Sequence, residues 1–260
     1  MKTGTKMMTG PRLSAALAAF VLLFATPSAA RSACRDLTFE NRGFTVCEAQ
    51  ARQDVRLFFA DETGAVLGGF GRINAVLAPE GKELIFAMNA GMYHPDRSPV
   101  GLLITEGQQR ARIITSEGPG NFGMLPNGVF CIRPGRFSVI ESRRFEAKPP
   151  ECTYATQSGP MLVIDGALHP RILPGSDSRY IRNGVGVSAD GQTAFFVISG
   201  EAVNFDEFAR LFRDELGTPN ALYFDGKVSK LYSLELNRSD FGFQMGPMVG
   251  LVGGGTQESR

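Results

Sequence analysis

The chain has 260 residues and a formal net charge of +1, from 27 Lys+Arg against 26 Asp+Glu, with no clustered run of basic residues. That balance leaves no electrostatic footprint for nucleic acid, so a charged ligand must be met by a local site. The 31 glycines and 15 prolines, spread along the whole length, predict many turns and therefore many short strands.

At the N-terminus, Lys2, Lys6 and Arg12 precede an apolar run from Leu13 to Phe24 and the small residues Thr26-Pro-Ser-Ala-Ala30. This is the pattern of a secretory signal peptide over residues 1–30, with cleavage expected after Ala30. An uncleaved anchor is the competing reading, disfavoured because the small residues come promptly and no second hydrophobic stretch follows. Arg31 stands where lipid attachment at Cys34 would want an aliphatic residue. Residues 31–260 are expected to form one exported domain, periplasmic or secreted, with no transmembrane segment after cleavage. The oligomeric state is left open.

Cys34, Cys47, Cys131 and Cys152 are the four cysteines, and an even count in an oxidising compartment favours disulfides over metal or catalytic thiols. Three pairings are possible. Cys34 with Cys47 and Cys131 with Cys152 is favoured, since each pair flanks a predicted hairpin. The first runs from Leu37 to Val46 and turns at Arg42-Gly43; the second turns at Pro134-Gly135.

Val55 to Phe59 and Ala65 to Leu67 read as a hairpin across Asp61-Glu-Thr-Gly64, and Phe70 to Leu77 as a short helix ending before Pro79. Glu83 to Met88 is an apolar strand running into Asn89-Ala-Gly-Met-Tyr-His94. Further hairpins pair Gly101 to Thr105 with Ala111 to Thr115, Gly128 to Ile132 with Phe137 to Glu141, and Met161 to Ile164 with Ala167 to His169. Asp190-Gly191 reads as a two-residue hairpin turn needing positive φ at both positions, and counting outward from it sets Arg182 opposite Ser199. A helix follows from Phe205 to Leu216, with Asp206 and Glu207 in its first turn and Gly217 after its end. The run Asn220 to Phe224 then ends in Asp225-Gly226, and Val228 to Leu236 and Phe241 to Val252 supply the last strands. The expected class is α+β: a single domain with a large, mainly antiparallel sheet system and one parallel β-α-β crossover.

The crossover is what points to a site. Parallel strands ending at one edge would bring Glu201 and Asp225 beside Arg182, a guanidinium near two acids where such sheets hold ligands. Three polar-Gly entries or exits add hydrogen-bonding groups at strand ends: Asn89 with Gly91, Asn127 with Gly128, and Gln157-Ser158-Gly159 before Pro160. Such a group can orient a hydroxyl or a phosphate oxygen, and Asn89, Asn127, Asn183, Ser199, Gly226, His94 and Lys230 are the candidate ligand contacts around Arg182, Glu201 and Asp225. His94 is a candidate proton donor or acceptor. His169, beside Pro170, is read as structural or solvent-facing. Neither histidine lies in a metal-ligand spacing, so no cofactor is expected and a divalent cation has no ligand motif. No phosphate loop, dinucleotide fingerprint or Gly-x-Ser-x-Gly elbow is present, which disfavours nucleotide chemistry and serine hydrolysis.

These stretches resemble the phosphodiester glycosidase family, whose pattern reads N-G-G-F after a strand, G-P before a strand, R-T-A-x-G, a crossover helix, and D-G-G-x-S. The corresponding residues are Asn89-Ala-Gly-Met92, Gly159-Pro160, Arg182-Asn-Gly-Val-Gly186 and Asp225-Gly-Lys-Val-Ser229, in order from about Leu84 to Val252. Ala90, Met92 and Lys227 depart from the pattern. The resemblance implies a secreted or luminal α+β enzyme acting on a sugar joined through a phosphodiester, here in envelope polysaccharide or glycolipid. On that reading Arg182 holds the phosphate by a forked pair of hydrogen bonds, and Asp225 and Glu201 divide the roles of base and charge stabiliser. Arg182→Ala is then expected to abolish turnover and leave the fold intact. The alternative is a non-catalytic module that binds exopolysaccharide or assists its assembly through the same polar edge.

Overall fold

The computed structural model describes residues 1–4 and 33–255, so the expected signal peptide and its cleavage point fall almost wholly outside the described residues. No helix among the described residues is long and apolar enough to cross a membrane.

Three antiparallel sheets carry the fold. The largest has seven strands in the order Cys34–Phe39, Arg42–Gln50, Thr193–Ser199, Asn183–Val187, Asn220–Asp225, Met161–Ile164 and Ala167–Leu168. A second has five, Arg238–Ser239, Leu231–Ser233, Lys82–Asn89, Met248–Gly254 and Asp54–Phe58. The third also has five, Gln108–Ala111, Leu103–Thr105, Tyr154–Ser158, Gly128–Arg133 and Arg136–Glu141. They meet on Phe196 of the large sheet, whose ring lies 5.4 Å from Phe86 of the second sheet and 5.6 Å, edge-on, from Phe130 of the third. Such tilted and edge-to-face contacts suit the ring quadrupoles and fix how the sheets approach.

The other face of the large sheet is covered by the predicted helix. Asn204 and Glu207 form a reciprocal capping box at its start, it runs as an α-helix over Phe205–Arg210, and it widens into a π-helical turn over Leu211–Glu215. Gly217 takes a φ of +61° just past its end. Phe208 and Phe212 bury against Val197, Ala221 and Tyr223. Gly186 makes room for this packing, since a Cβ there would stand 2.6 Å from the Phe212 ring and 2.7 Å from Thr218 Oγ1.

The strands before and after this helix do not pair with each other, and the expected parallel crossover is not formed. Asn183–Val187 stands between them and is antiparallel to both, so every ladder among the described residues is antiparallel. Burying a helix on one face did not require its flanking strands to be neighbours. The central strand is nevertheless in the predicted register: Asn183 faces Ile198, and Arg182 exchanges backbone and side-chain hydrogen bonds with Ser199.

Other boundaries moved for local reasons. The first hairpin turns at Glu40-Asn41, both at positive φ, rather than at Arg42-Gly43, and this sets Cys34 opposite Cys47. Only Gly191 of the Asp190-Gly191 pair has positive φ, because Ser188 closes a longer loop with Ser188 Oγ donating to Asp190 Oδ1. Beyond Glu106-Gly107 the return strand is Gln108–Ala111, starting three residues early. Phe241 to Met245 is not strand; pairing resumes only at Met248. Both favoured disulfides, Cys34–Cys47 and Cys131–Cys152, are present. His169 is buried, its Nδ1 accepting from the Arg171 N–H, so of the two expected readings it is structural and not solvent-facing.

Asn204→Ala removes the acceptor for the Glu207 N–H and should lower unfolding stability by about 1 kcal/mol, read as a shift of the denaturant midpoint with unchanged slope.

Candidate functional site

Strand ends from all three sheets converge beside Asp225. Asn89 ends a strand of the second sheet, Ser158 one of the third, and Asn183 begins the central strand of the first. The two asparagine amides, both fully buried, face each other: Asn89 Nδ2 donates to Asn183 Oδ1 at 3.1 Å, and Asn183 Nδ2 returns the bond to Asn89 Oδ1 at 3.1 Å. Asn183 Oδ1 also accepts from the Asp225 N–H at 3.2 Å, and Asn89 Oδ1 from the Lys230 N–H at 3.0 Å. Ser158 Oγ donates to the Phe224 carbonyl at 2.9 Å.

A slip in the ladder aims the carboxylate. Gly184 faces Tyr223 but Asn183 faces Asp225, so one residue is extra on the outer strand and its end is turned. Asp225 Oδ1 then accepts from the N–H groups of Gly226, at 2.6 Å, and Lys227, at 2.9 Å. Burial pushes the Asp225 carboxyl above the usual aspartate range, against the pull of the Lys227, Gly226 and Val228 N–H groups and the Lys227 charge.

Arg182 is also fully buried, and it is not available as a fork. Its Nε donates to the Val203 carbonyl at 2.8 Å, its Nη2 to the Ser178 carbonyl at 2.7 Å, and its guanidinium lies 3.7 Å over the Phe205 ring. Tyr223 and Tyr180 complete an aromatic box, with ring centroids 5.3 and 5.5 Å away. Among the described residues no carboxylate pairs with it, and Nη1 is buried with no hydrogen-bond partner. The Tyr223 phenol lies beside this guanidinium, with the Asn121 amide and the Asp225 charge also within range. Burial drives the phenol well above its ordinary pKa, Arg182 draws it partway back, and it remains a neutral donor at physiological pH. Gly226 supplies the space, because a Cβ there would stand 2.2 Å from the Tyr223 hydroxyl. Tyr93, whose own phenol is raised by burial and by the Asp225 charge, closes the other side.

Several predicted contacts are occupied elsewhere. Glu201 is exposed and paired with Arg42 at 2.7 Å, with the Gly43 N–H on its other oxygen, so the second carboxylate is not with the first. The strand ends at Ser199, and the Gly200 N–H donates to the Gly43 carbonyl, which leaves Glu201 beside Arg42. Ser199 Oγ accepts from the Arg182 N–H and holds backbone. Gln157 binds Leu102 N, Ile114 N and O, and Ser142 Oγ, while Asn127 Nδ2 donates to the Phe122 carbonyl. Together these two amides hold the loop that carries Asn121. Gly91, at a φ of +112°, lets its chain pass against Thr156 and Gln157, and Gly159 packs on the Asn127 Cβ. His94 sits on an exposed turn closed by its own N–H to Ser98 O. Lys230 is buried, its ammonium donating to the Phe243 carbonyl. Among the described residues no group of three or more acidic, histidine or cysteine side chains could hold a metal.

Tyr223, Tyr93 and Asn121 were not singled out from the sequence, and Lys227 was named only as a departure from the family pattern. Tyr223 carried a usable signal: a phenol within the apolar run Ala221-Leu-Tyr-Phe224 must find a polar partner once buried.

Residues 82–245 match the family described as phosphodiester glycosidase. The uncharacterised protein YigE of Escherichia coli (strain K12) is 34% identical over 200 residues, 77% of each chain. The zebrafish N-acetylglucosamine-1-phosphodiester alpha-N-acetylglucosaminidase catalytic domain, auto-inhibited by its pro-peptide, matches with a TM-score of 0.58 at 13% identity, over 84% of this chain and 81% of that one. A Burkholderia pseudomallei K96243 protein inferred to be exported matches with a TM-score of 0.51 at 12% identity, over 81% of this chain and 74% of that one.

Two substitutions test the framework. Asn89→Ala leaves the Lys230 N–H and the Asn183 amide without their partner, and should destabilise by at least about 2 kcal/mol in chemical denaturation. Arg182→Ala deletes a fully buried side chain and should cost on the order of 3 kcal/mol, so an inactive variant at this position would be read as a folding defect first.

Proposed function

Because the chain belongs to the phosphodiester glycosidase family, we propose that it hydrolyses a glycosyl phosphodiester with Asp225 as the base that activates water. The observation that carries the reading is Asp225 itself: a half-buried carboxyl, raised by burial, held by two backbone N–H groups and flanked by neutral phenols. In the proposed step Asp225 takes a proton from water as the oxygen attacks the anomeric carbon. The bond from that carbon to the phosphate oxygen breaks, and the phosphate monoester leaves with the electron pair. A phosphate leaving group needs little protonation, which fits a site where Glu201 is turned away. Tyr223, set by Arg182 behind it, donates to an oxygen of the substrate, and Lys227, whose charge reaches Asp225, meets the phosphate as a point charge.

We place the substrate in envelope polysaccharide or glycolipid and the protein outside the cytoplasm. The N-terminal pattern of basic, apolar and small residues supports export, as do two disulfides. The competing reading is a saccharide-binding module without turnover, favoured by the pairing of Glu201 with Arg42, which leaves no second carboxylate beside Asp225 among the described residues.

The test is release of sugar from a panel of chromogenic glycosyl phosphodiesters across pH. Asp225→Asn should lower kcat/KM by about 100-fold or more, and the wild-type profile should rise with pH through a midpoint above about 3.9, the ordinary aspartate value. Stability should move oppositely. A carboxyl raised in the folded state stabilises below its unfolded pKa, and that contribution is lost as pH rises through the folded value. At neutral pH the ionised form is therefore a liability, and Asp225→Asn, which keeps the Oδ1 acceptor, should melt higher than wild type. Full activity in Asp225→Asn would remove the base, and binding without release across the panel would favour the module.

A further inference from the structure

Phe241 and Phe243 are 96% and 81% exposed, far more than any other described aromatic side chain. A loop that merely failed to bury two phenyl rings would be free to fold them under, yet this one is pinned on every side. The Lys230 ammonium, itself in a residue 8% exposed, donates to the Phe243 carbonyl from beneath. Gly242, at a φ of +121°, lies over that ammonium, its Cβ position 3.6 Å from Lys230 Nζ. Asp240 is fixed by the Leu231 N–H and by both ends of the Arg238 guanidinium, and the Met245 N–H donates to the Gly68 carbonyl. The rings are held out in water by polar contacts of the neighbouring backbone and side chains.

They do not stand alone. With Lys227, Val228, Ser229, Ser239 and Asp240 they line a cavity of about 470 Å³, within the size range of small-ligand sites. Its near wall is the segment that leaves Asp225: the Lys227 N–H holds the Asp225 carboxylate, and Ser229 Oγ donates to the Asp225 carbonyl. The lining is therefore part aromatic and part an ammonium and hydroxyls. The Lys227 ammonium has no ion-pair or hydrogen-bond partner among the described residues, and neither has the exposed Ser239 hydroxyl.

We infer that this cavity is a saccharide subsite, in which a pyranose ring lies with its C–H face on Phe241 and Phe243 and its hydroxyl edge toward Lys227 and Ser239. A pyranose has both surfaces on one rigid body. An acyl chain would set hydrocarbon against an unpaired ammonium and a carboxylate, which burial penalises. The inference rests on the hydrolase reading in one respect only: continuity with Lys227 makes this the side of the departing phosphate, so the group esterified there is a sugar of a longer chain.

The test is direct binding, followed by titration calorimetry and saturation-transfer NMR, of maltohexaose, cellohexaose and chitohexaose to the full chain and to Phe241→Ala/Phe243→Ala. At least one oligosaccharide should bind, with transfer to phenyl protons, and the double variant should weaken it about tenfold, as expected on removing stacked aromatic faces. Both side chains are exposed and the Lys230 bond is to backbone, so the variant should keep the wild-type melting temperature. No binding of any of the three at millimolar concentration, or equal affinity in the variant, would overturn the inference. So would loss in the variant of binding to phosphatidylcholine–phosphatidylglycerol vesicles in place of saccharide. Saccharide binding that persists in Asp225→Asn, in a protein showing no turnover on phosphodiesters, would sink the hydrolase while leaving the subsite standing; turnover without saccharide binding would do the reverse.

Discussion

The reciprocal amide pair between Asn89 and Asn183 is the contact on which the site is built. Two buried amides carry donors and acceptors that must all be met, and only another amide, facing head to tail, meets two of them at once. This ties the second sheet to the first at one register. The remaining acceptor on each side is then used to place something else: Asn183 Oδ1 takes the Asp225 N–H, and Asn89 Oδ1 the Lys230 N–H. Through four bonds of about 3 Å, the pair fixes the carboxylate that ends one strand and the residue that opens the aromatic loop. An apolar pair of the same volume could pack there, but would leave both backbone N–H groups without acceptors.

Around this frame the charges are arranged without neutralising one another. Among the described residues Arg182 has two carbonyls and three aromatic faces but no carboxylate, and Asp225 has backbone donors but no guanidinium. A direct ion pair would have lowered the aspartate and quenched both groups. Burial keeps the aspartate raised, while Tyr223, within range of both charges, favours the charged guanidinium against the burial that lowers it. The arrangement is costly for folding and useful for proton transfer, since a base whose pKa has moved toward working pH is a better one.

The sequence carried the register of the central hairpin, the helix and the two disulfides, because each follows from local periodicity or turn chemistry. It could not carry which groups would be consumed internally. Asn89, Asn127, Gln157 and Ser199 look like ligand-facing polar residues at strand ends, and every one of them binds backbone or another side chain across more than one element. Glu201 was misplaced for a related reason: counting residues along a strand gives its end, but not whether the chain then turns inward. The ladder slip at Asn183/Gly184, which aims Asp225, has no local sequence signature at all.

Phe241-Gly-Phe243 shows the same limit from the opposite direction. Alternating apolar residues predict a half-buried strand, and burying each phenyl would contribute roughly 1.5–3 kcal/mol. The chain forgoes that gain because the neighbouring backbone is already committed: Leu231 and Asp240 are bound to each other, Lys230 is held by Asn89, and its ammonium occupies the position under Gly242 that a returning ring would need. The amide pair that sets the carboxylate therefore also fixes the residue beneath the aromatic tip. Any shift of the second sheet against the first would move Asp225 and the two rings together, so the spacing between the buried carboxyl and the aromatic tip is a property of the fold rather than of the loop.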